Sequence, residues 1–369
     1  MNALTKNQLN FSAGPGALPE KVLEELKQTI TVLPETGVSI LGMSHRTSWF
    51  ENVIAETCAL IRRLMQVPSD YEIILMQGGS SLQFTMIPIN FDHTCMGPQY
   101  IVGGYWSKRA LEAANKNSHA ARLWDTDWDG LRDGYRVLPK LADLKPNPDT
   151  PYVHYVTNET VEGLQFHDYL DTPAPVVADM SSDFMSRPVD VSRFGMIYAH
   201  AQKNLGPAGV TVAIIHRDLL KRSHERIPDV LNYDVLARHA SNYNTPPVFA
   251  IYAMLLVLRW LDKDMGGLKE MGALNTLKAN ALYDCLERYA GIIGLPAHPD
   301  CRSQMNVAFH FACEEHNRLF LQQSKEAGFS GLEGHRSYGG LRASLYNGVT
   351  PEAVEALVHF IDGFVKYYG

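Results

Sequence analysis

A chain of 369 residues, 46% of them hydrophobic, has room for about two domains and a sizeable core; its composition excludes a disordered or collagen-like protein. Its formal net charge of −7 argues against a general nucleic-acid binder, which needs a basic face, and leaves small anionic ligands open. The cysteines (Cys58, Cys95, Cys285, Cys301, Cys313) are odd in number, scattered and without a CxxC, which fits a reducing cytoplasm better than a disulfide framework.

The opening MNALTKNQLNF has no apolar core of the kind a signal peptide needs, so none is expected. From about residue 71 to 215, short apolar runs alternate with helix-like stretches. Residues 71–76, 99–104, 152–156, 175–179 and 196–200 are predicted strands, and their continuous hydrophobicity suits burial on both faces of an α/β sheet. Residues 210–216 follow so closely that they form a hairpin with the strand before, which makes the sheet mixed. The longest apolar run, Val248 to Leu258, stops at Arg259 and is too short to span a bilayer; it reads as a buried helix. After about residue 260 the pattern changes. Residues 304–311 and 341–346 partly alternate, while 314–328 and 351–368 have helical period, the latter opening with Thr350 as N-cap and Pro351 at the first helical position. This predicts a smaller C-terminal α+β domain.

Within this frame one lysine stands out. Lys203 sits in a Gly- and Pro-rich turn between two buried-looking strands. A partly desolvated lysine loses some preference for its charged form and becomes a nucleophile or Schiff-base former; the alternative is a side chain that simply snorkels to solvent. Asp179 ends the apolar run of PVVADMSSD, so its carboxylate emerges at the C-terminal edge of a strand, where open α/β sheets place ligands. It either meets a positive partner such as a protonated pyridine nitrogen or caps the next helix. In IILMQGGSSLQF a strand runs through Gly78-Gly79 and Ser80-Ser81 into a helix, a phosphate-binding geometry or an ordinary strand–helix turn. Trp106 in GGYWSKR either stacks on a flat ring or fills the core. No HExxH occurs, His310 and His316 lack further ligands, and there is no Gly-x-Ser-x-Gly elbow, so neither a metal centre nor a serine hydrolase is expected.

Six segments in order, FSAGPGALP, SHRTSWF, NETVEG, AQKNLGPAG, YNTPP and GHRSYGGLRAS, carry a resemblance that runs from residue 11 to the C-terminus. Together they resemble the phosphoserine aminotransferases, class-V aminotransferases that use pyridoxal phosphate. The resemblance implies an α/β fold of the aspartate-aminotransferase type (fold type I). A large cofactor-binding domain with a mixed, mostly parallel sheet would span residues 17–260 and a small C-terminal α+β domain 261–369, with residues 1–16 packed near the latter. It implies Lys203 as Schiff-base residue and proton shuttle, Asp179 on the pyridinium nitrogen and Trp106 stacked on the ring. Ser80, Ser81 and Gln202 would hold the cofactor phosphate and Thr160 would contact the ring. Asn244 and Thr245 would reach the cofactor phosphate of a neighbouring subunit, giving a homodimer with shared active sites. Some family members have Gly-Arg where this chain has Ser80-Ser81, which removes one cationic contact and keeps the backbone N–H groups.

The substrates so implied are multiply anionic: L-glutamate and 3-phosphohydroxypyruvate, giving 2-oxoglutarate and O-phospho-L-serine, with 4-phosphohydroxythreonine of vitamin B6 synthesis as a further candidate. They call for arginine forks. Arg342 would grip the α-carboxylate; the pairs His45-Arg46 and His335-Arg336 would bind the distal carboxylate or phosphate, unless they are solvated loop charges. Glycines 334, 339 and 340 around the second pair suit a mobile lid. The implied protein is cytoplasmic, with neither nucleic acid nor membrane as partner. Alternatives are an alanine–glyoxylate or serine–glyoxylate type aminotransferase or a desulfurase on the same fold, and a non-catalytic binder of phosphate ligands.

Overall fold

The computed structural model describes residues 4–368; Met1 to Ala3 of the expected N-terminal segment, and Gly369, lie outside the described residues. Helices α1 (Glu20–Thr31) and α2 (Ser48–Leu64) precede an alternating series: β1 (Tyr71–Met76), α3 (Gly79–Phe91), β2 (Gln99–Val102), α4 (Tyr105–Ala114), β3 (Ala121–Asp125), β4 (Val153–Val156), β5 (Val176–Asp179), β6 (Met196–His200) and β7 (Thr211–His216). They form one seven-stranded sheet in the order β1-β7-β6-β5-β4-β2-β3. Only β7 is reversed: it pairs antiparallel with both β1 and β6, while β6, β5, β4, β2 and β3 pair in parallel. The predicted hairpin is therefore present, and the sheet is mixed.

Each central strand is buried on both faces. In β7, Val212 and Ile214 join one core, packed with α2 and α5 (Val248–Lys263), while Ala213 and Ile215 join the other with residues of α3 and α4. The predicted strand 99–104 ends at Val102, because Gly103 and Gly104 turn into α4. Strand β3 was not expected. It is the sheet edge, with Ala121 and Arg122 exposed, so it never needed the apolar run that betrays a central strand.

The C-terminal part is built on α6 (Leu268–Arg288), a three-stranded antiparallel sheet of β8 (Ile293–Gly294), β9 (Asn306–Phe311) and β10 (Leu341–Ser344), and the helices α7 (Glu314–Glu326) and α8 (Pro351–Tyr368). Thr350 Oγ1 accepts the Ala353 N–H at 3.3 Å, the cap read from the sequence. Leu9 and Phe11 share the core of this part, and the Phe11 N–H donates to Ser330 O at 2.8 Å. Helix α5 runs unbroken through residue 260 to Lys263. No described helix is long and apolar enough to cross a membrane.

One buried cation ties this part to the large sheet. Lys278 of α6 is fully buried and directs its ammonium to three carbonyls, Leu345 O at 3.1 Å, Tyr346 O at 3.0 Å and Val349 O at 2.8 Å. The loop it holds continues to Asn347, whose N–H donates to Asn204 Oδ1 at 3.0 Å, next to Lys203. Burial draws Lys278 down to about 7. Lys278→Met removes the donor these three carbonyls share, of which Tyr346 O keeps the Val349 N–H, and is expected to lower the unfolding free energy by about 3 kcal/mol. A denaturant midpoint that stays at the wild-type value would refute this.

Candidate active site

A cavity of about 230 Å³ opens at the C-terminal edge of the sheet. Residues at or just beyond the ends of β1, β2, β4, β5 and β6 line it, which is where parallel strands deliver side chains to a ligand. After β1 the chain passes Gly78, with φ of +101°, into α3; an added Cβ there would lie 2.2 Å from Leu82, so this turn requires glycine. The turn brings Gly79, Ser80 and Ser81 to the cavity at the start of α3, with the free N–H groups of a helix N-terminus.

Asp179 is the last residue of β5 and is 4% exposed. Its Oδ1 accepts from Ser181 N at 2.9 Å and Ser181 Oγ at 2.5 Å. Ser181 Oγ also lies 2.6 Å from Ser80 Oγ, so one serine joins the acid to the α3 turn. Burial raises the Asp179 pKa, an effect eased by Ser181 and by the Lys203 cation. Lys203 lies in the loop between β6 and β7 and lines the same cavity. Burial pulls its ammonium down to about 8, with Asp179 acting in the opposite sense. Its Nζ is 5.8 Å from the centroid of the half-buried Trp106 ring. The next residue, Asn204, anchors this loop through Nδ2 to Phe184 O at 3.1 Å.

The cavity thus gathers Ser80, Ser81, Trp106, Asp179, Gln202 and Lys203. Thr160 lies one contact further out, its hydroxyl accepting the Trp106 indole N–H at 2.9 Å. Arg342 points away from its core neighbours Leu341 and Ala343; Nη1 donates to Thr160 O at 2.9 Å, and Nε is buried without a partner among the described residues. The His335 ring lies tilted against Tyr105, beside Trp106, with centroids 4.7 Å apart, while Arg336 is exposed on the same loop. His45, Arg46, Asn244 and Thr245 do not line this cavity; Arg46, Asn244 and Thr245 are exposed. Sequence reasoning passed over Ser181, His200, Asn158 and Ser182, which also line the cavity. Ser181 and Ser182 follow Asp179 directly, and that adjacency was the available signal.

The residues fit pyridoxal phosphate. A helix N-terminus with two hydroxyls suits a phosphate, a buried acid suits a ring nitrogen, an indole suits a ring face, and an amine suits an aldehyde. The fold and this set of groups define a pyridoxal-phosphate-dependent aminotransferase.

Comparison with known proteins narrows this. The model of the class-V aminotransferases matches residues 8–357. The phosphoserine aminotransferase of Lysinibacillus sphaericus is 45% identical over 362 residues, 98% of this chain and 99% of that protein. The solved phosphoserine aminotransferase of Bacillus circulans subsp. alkalophilus superposes with a TM-score of 0.93 at 41% identity, covering 98% of this chain and 99% of that one. The pyridoxal-phosphate-bound phosphoserine aminotransferase of Trichomonas vaginalis gives 0.88 at 34% identity, covering 95% and 99%. The chain belongs to the class-V aminotransferases and, within them, to the phosphoserine aminotransferase family.

Proposed function

We propose that the enzyme transfers the amino group between L-glutamate and 3-phosphohydroxypyruvate, forming 2-oxoglutarate and O-phospho-L-serine in serine biosynthesis. The observation that carries this reading is Arg342, bonded to Thr160, which in turn holds the Trp106 indole, with a buried Nε that has no partner among the described residues. A carboxylate is the natural acceptor for that fork.

Pyridoxal phosphate, when bound, supplies an aldehyde that exchanges amines and a ring that takes up the electron pair of the substrate α-carbon. Ser80, Ser81, Gln202 and the N–H groups of α3 bind its phosphate, and Thr160 backs Trp106 against the ring. Asp179 favours a protonated ring nitrogen. Lys203 Nζ, drawn down to about 8, gives up and regains a proton near neutral pH, so it lifts a proton from substrate carbon and returns it. Arg342 orients the α-carboxylate. His335 and Arg336 take the distal anion from a Gly-flanked loop that closes over it.

A second copy of the chain completes the site. Asn242 Nδ2 donates to His45 O at 3.0 Å, which joins the loops bearing His45-Arg46 and Asn244-Thr245. Leu41 (65% exposed), Val38 and Tyr243 lie on these segments, as an interface between copies requires. In this reading residues 17–260 hold the cofactor and 261–369 form the smaller unit, and the protein works in the cytoplasm as a homodimer.

The test is a substrate panel. kcat/KM for phosphoserine is expected to exceed that for serine and alanine by about 10⁴-fold, because the arginine and histidine donors lose their acceptor in the smaller substrates. Comparable values for all three would favour the glyoxylate-using aminotransferases instead. 4-Phosphohydroxythreonine, tested in the same panel, reports whether the distal pocket admits a fourth carbon.

A further inference from the structure

Helix α4 carries Trp106 in its first turn, yet its N-cap, Gly104, has no side chain to satisfy the first N–H groups. Two carboxylates from the 158–163 turn do so. The Tyr105 N–H donates to Glu162 Oε1 at 2.9 Å, the Trp106 N–H to Glu159 Oε2 at 3.0 Å, and the Ser107 N–H to Glu159 Oε1 at 2.9 Å. Ser107 Oγ adds a third donor to Glu159 at 2.5 Å. Glu159 and Glu162 are 1% and 2% exposed. Two buried carboxylates side by side are costly, and burial together with Glu159 pushes Glu162 up to about 8. For Glu159, bonds from the helix N-terminus and the Ser107 hydroxyl offset that cost.

The arrangement leaves its mark on the glycines. A Cβ on Gly104 would lie 2.5 Å from Glu162 Oε2 and 2.9 Å from Glu159 Cδ. Gly104 has an extended backbone, so the requirement here is space for the carboxylates, not torsional freedom. Between the two acids, Thr160 holds the indole N–H through its hydroxyl and Arg342 through its carbonyl. One turn therefore touches Trp106 at its backbone and at its ring, and reaches the substrate arginine as well.

We propose that Glu159 and Glu162 form a clamp on the first turn of α4 that sets the height and tilt of the Trp106 indole over the cofactor cavity. Glu159 is a positioning residue: it acts through Trp106, not on the reacting atoms. The proposal rests on the reading above in which Trp106 packs on the cofactor ring.

The experiment measures the dissociation constant of pyridoxal phosphate from the purified protein, and the induced circular dichroism of the bound cofactor, in four forms: wild type, Glu159→Gln, Trp106→Ala and the double variant. Glu159→Gln is expected to weaken cofactor binding about tenfold and to reduce the dichroic band, and to add no more than about twofold once Trp106 is gone. If Glu159→Gln lowers only the melting temperature of the apoprotein and leaves affinity and dichroism intact, the acid is a structural cap and the proposal fails. An equal loss in both backgrounds also overturns it, since Glu159 would then act by another route. If Trp106→Ala itself changes neither affinity nor dichroism, the failure lies with the stacking reading, and the clamp falls with it. Should Glu159→Gln not fold, Gly104→Ala, which displaces the carboxylates from the other side, is expected to give the same loss, and wild-type affinity in that variant refutes the clamp.

Discussion

Lys203→Ala is expected to reduce turnover by about 10⁴-fold or more, because one substitution removes both the amine that captures the cofactor and the base that moves the substrate proton. Cofactor should still bind, weakly, through the α3 turn and Asp179. Borohydride, which fixes the cofactor onto a lysine amine in the wild type, should leave the variant unlabelled. The pH dependence follows from the position of the group. Burial moves the Lys203 ammonium from 10.5 to about 8, so at any pH between these values more of the amine is neutral than in an exposed lysine. The neutral amine is the nucleophile. The rate at which the apoenzyme captures pyridoxal phosphate should therefore rise with pH and level off above about 8. A variant that kept full turnover, or a capture rate still climbing steeply at pH 10, would contradict the assignment.

Asp179→Asn is the second large effect. The amide has nearly the shape of the carboxylate, and its Oδ1 can still accept the Ser181 N–H and hydroxyl bonds. What it lacks is the negative charge that favours a protonated ring nitrogen. Loss of one preorganised charge at a reacting group costs about 10² to 10³ in kcat, and the effect should fall on kcat more than on KM. Stability should move the other way or not at all. Burial is the main influence on Asp179 and it penalises the ionised form, so a neutral amide relieves that penalty. A variant that melts several degrees lower while keeping its kcat would show that Asp179 serves the fold and not the chemistry.

Much of the large sheet was legible because its central strands must be apolar on both faces. Residues 71–76 and 196–200 read as strands and are strands, and the closeness of 211–216 to its predecessor foretold the reversed strand β7. Lys203 and Asp179 were visible for the same reason: a charged residue at the end of an apolar run must emerge at the sheet's edge. Strand β3 stayed hidden, since an edge strand with exposed residues carries no such constraint. The helix spanning residue 260 also ran on further than the change in pattern implied.

Other features became visible only in the folded chain. Glu159 and Glu162 look in sequence like any solvated loop acids; folding places them against the start of α4, where Trp106 is 53 residues before Glu159 and Tyr105 is 57 before Glu162. Ser181 appears as a turn serine until the sheet sets it between Ser80 and Asp179. His45 and Asn244 seem unrelated until the bond from Asn242 to His45 O joins their loops. The sequence by itself determined the buried strands, the lysine and the acid, because burial and its exceptions are written locally, residue by residue. Tertiary structure alone decided which hydrogen-bond donors meet which carboxylates, because those partners are far apart along the chain and become neighbours only when the strands are ordered in space.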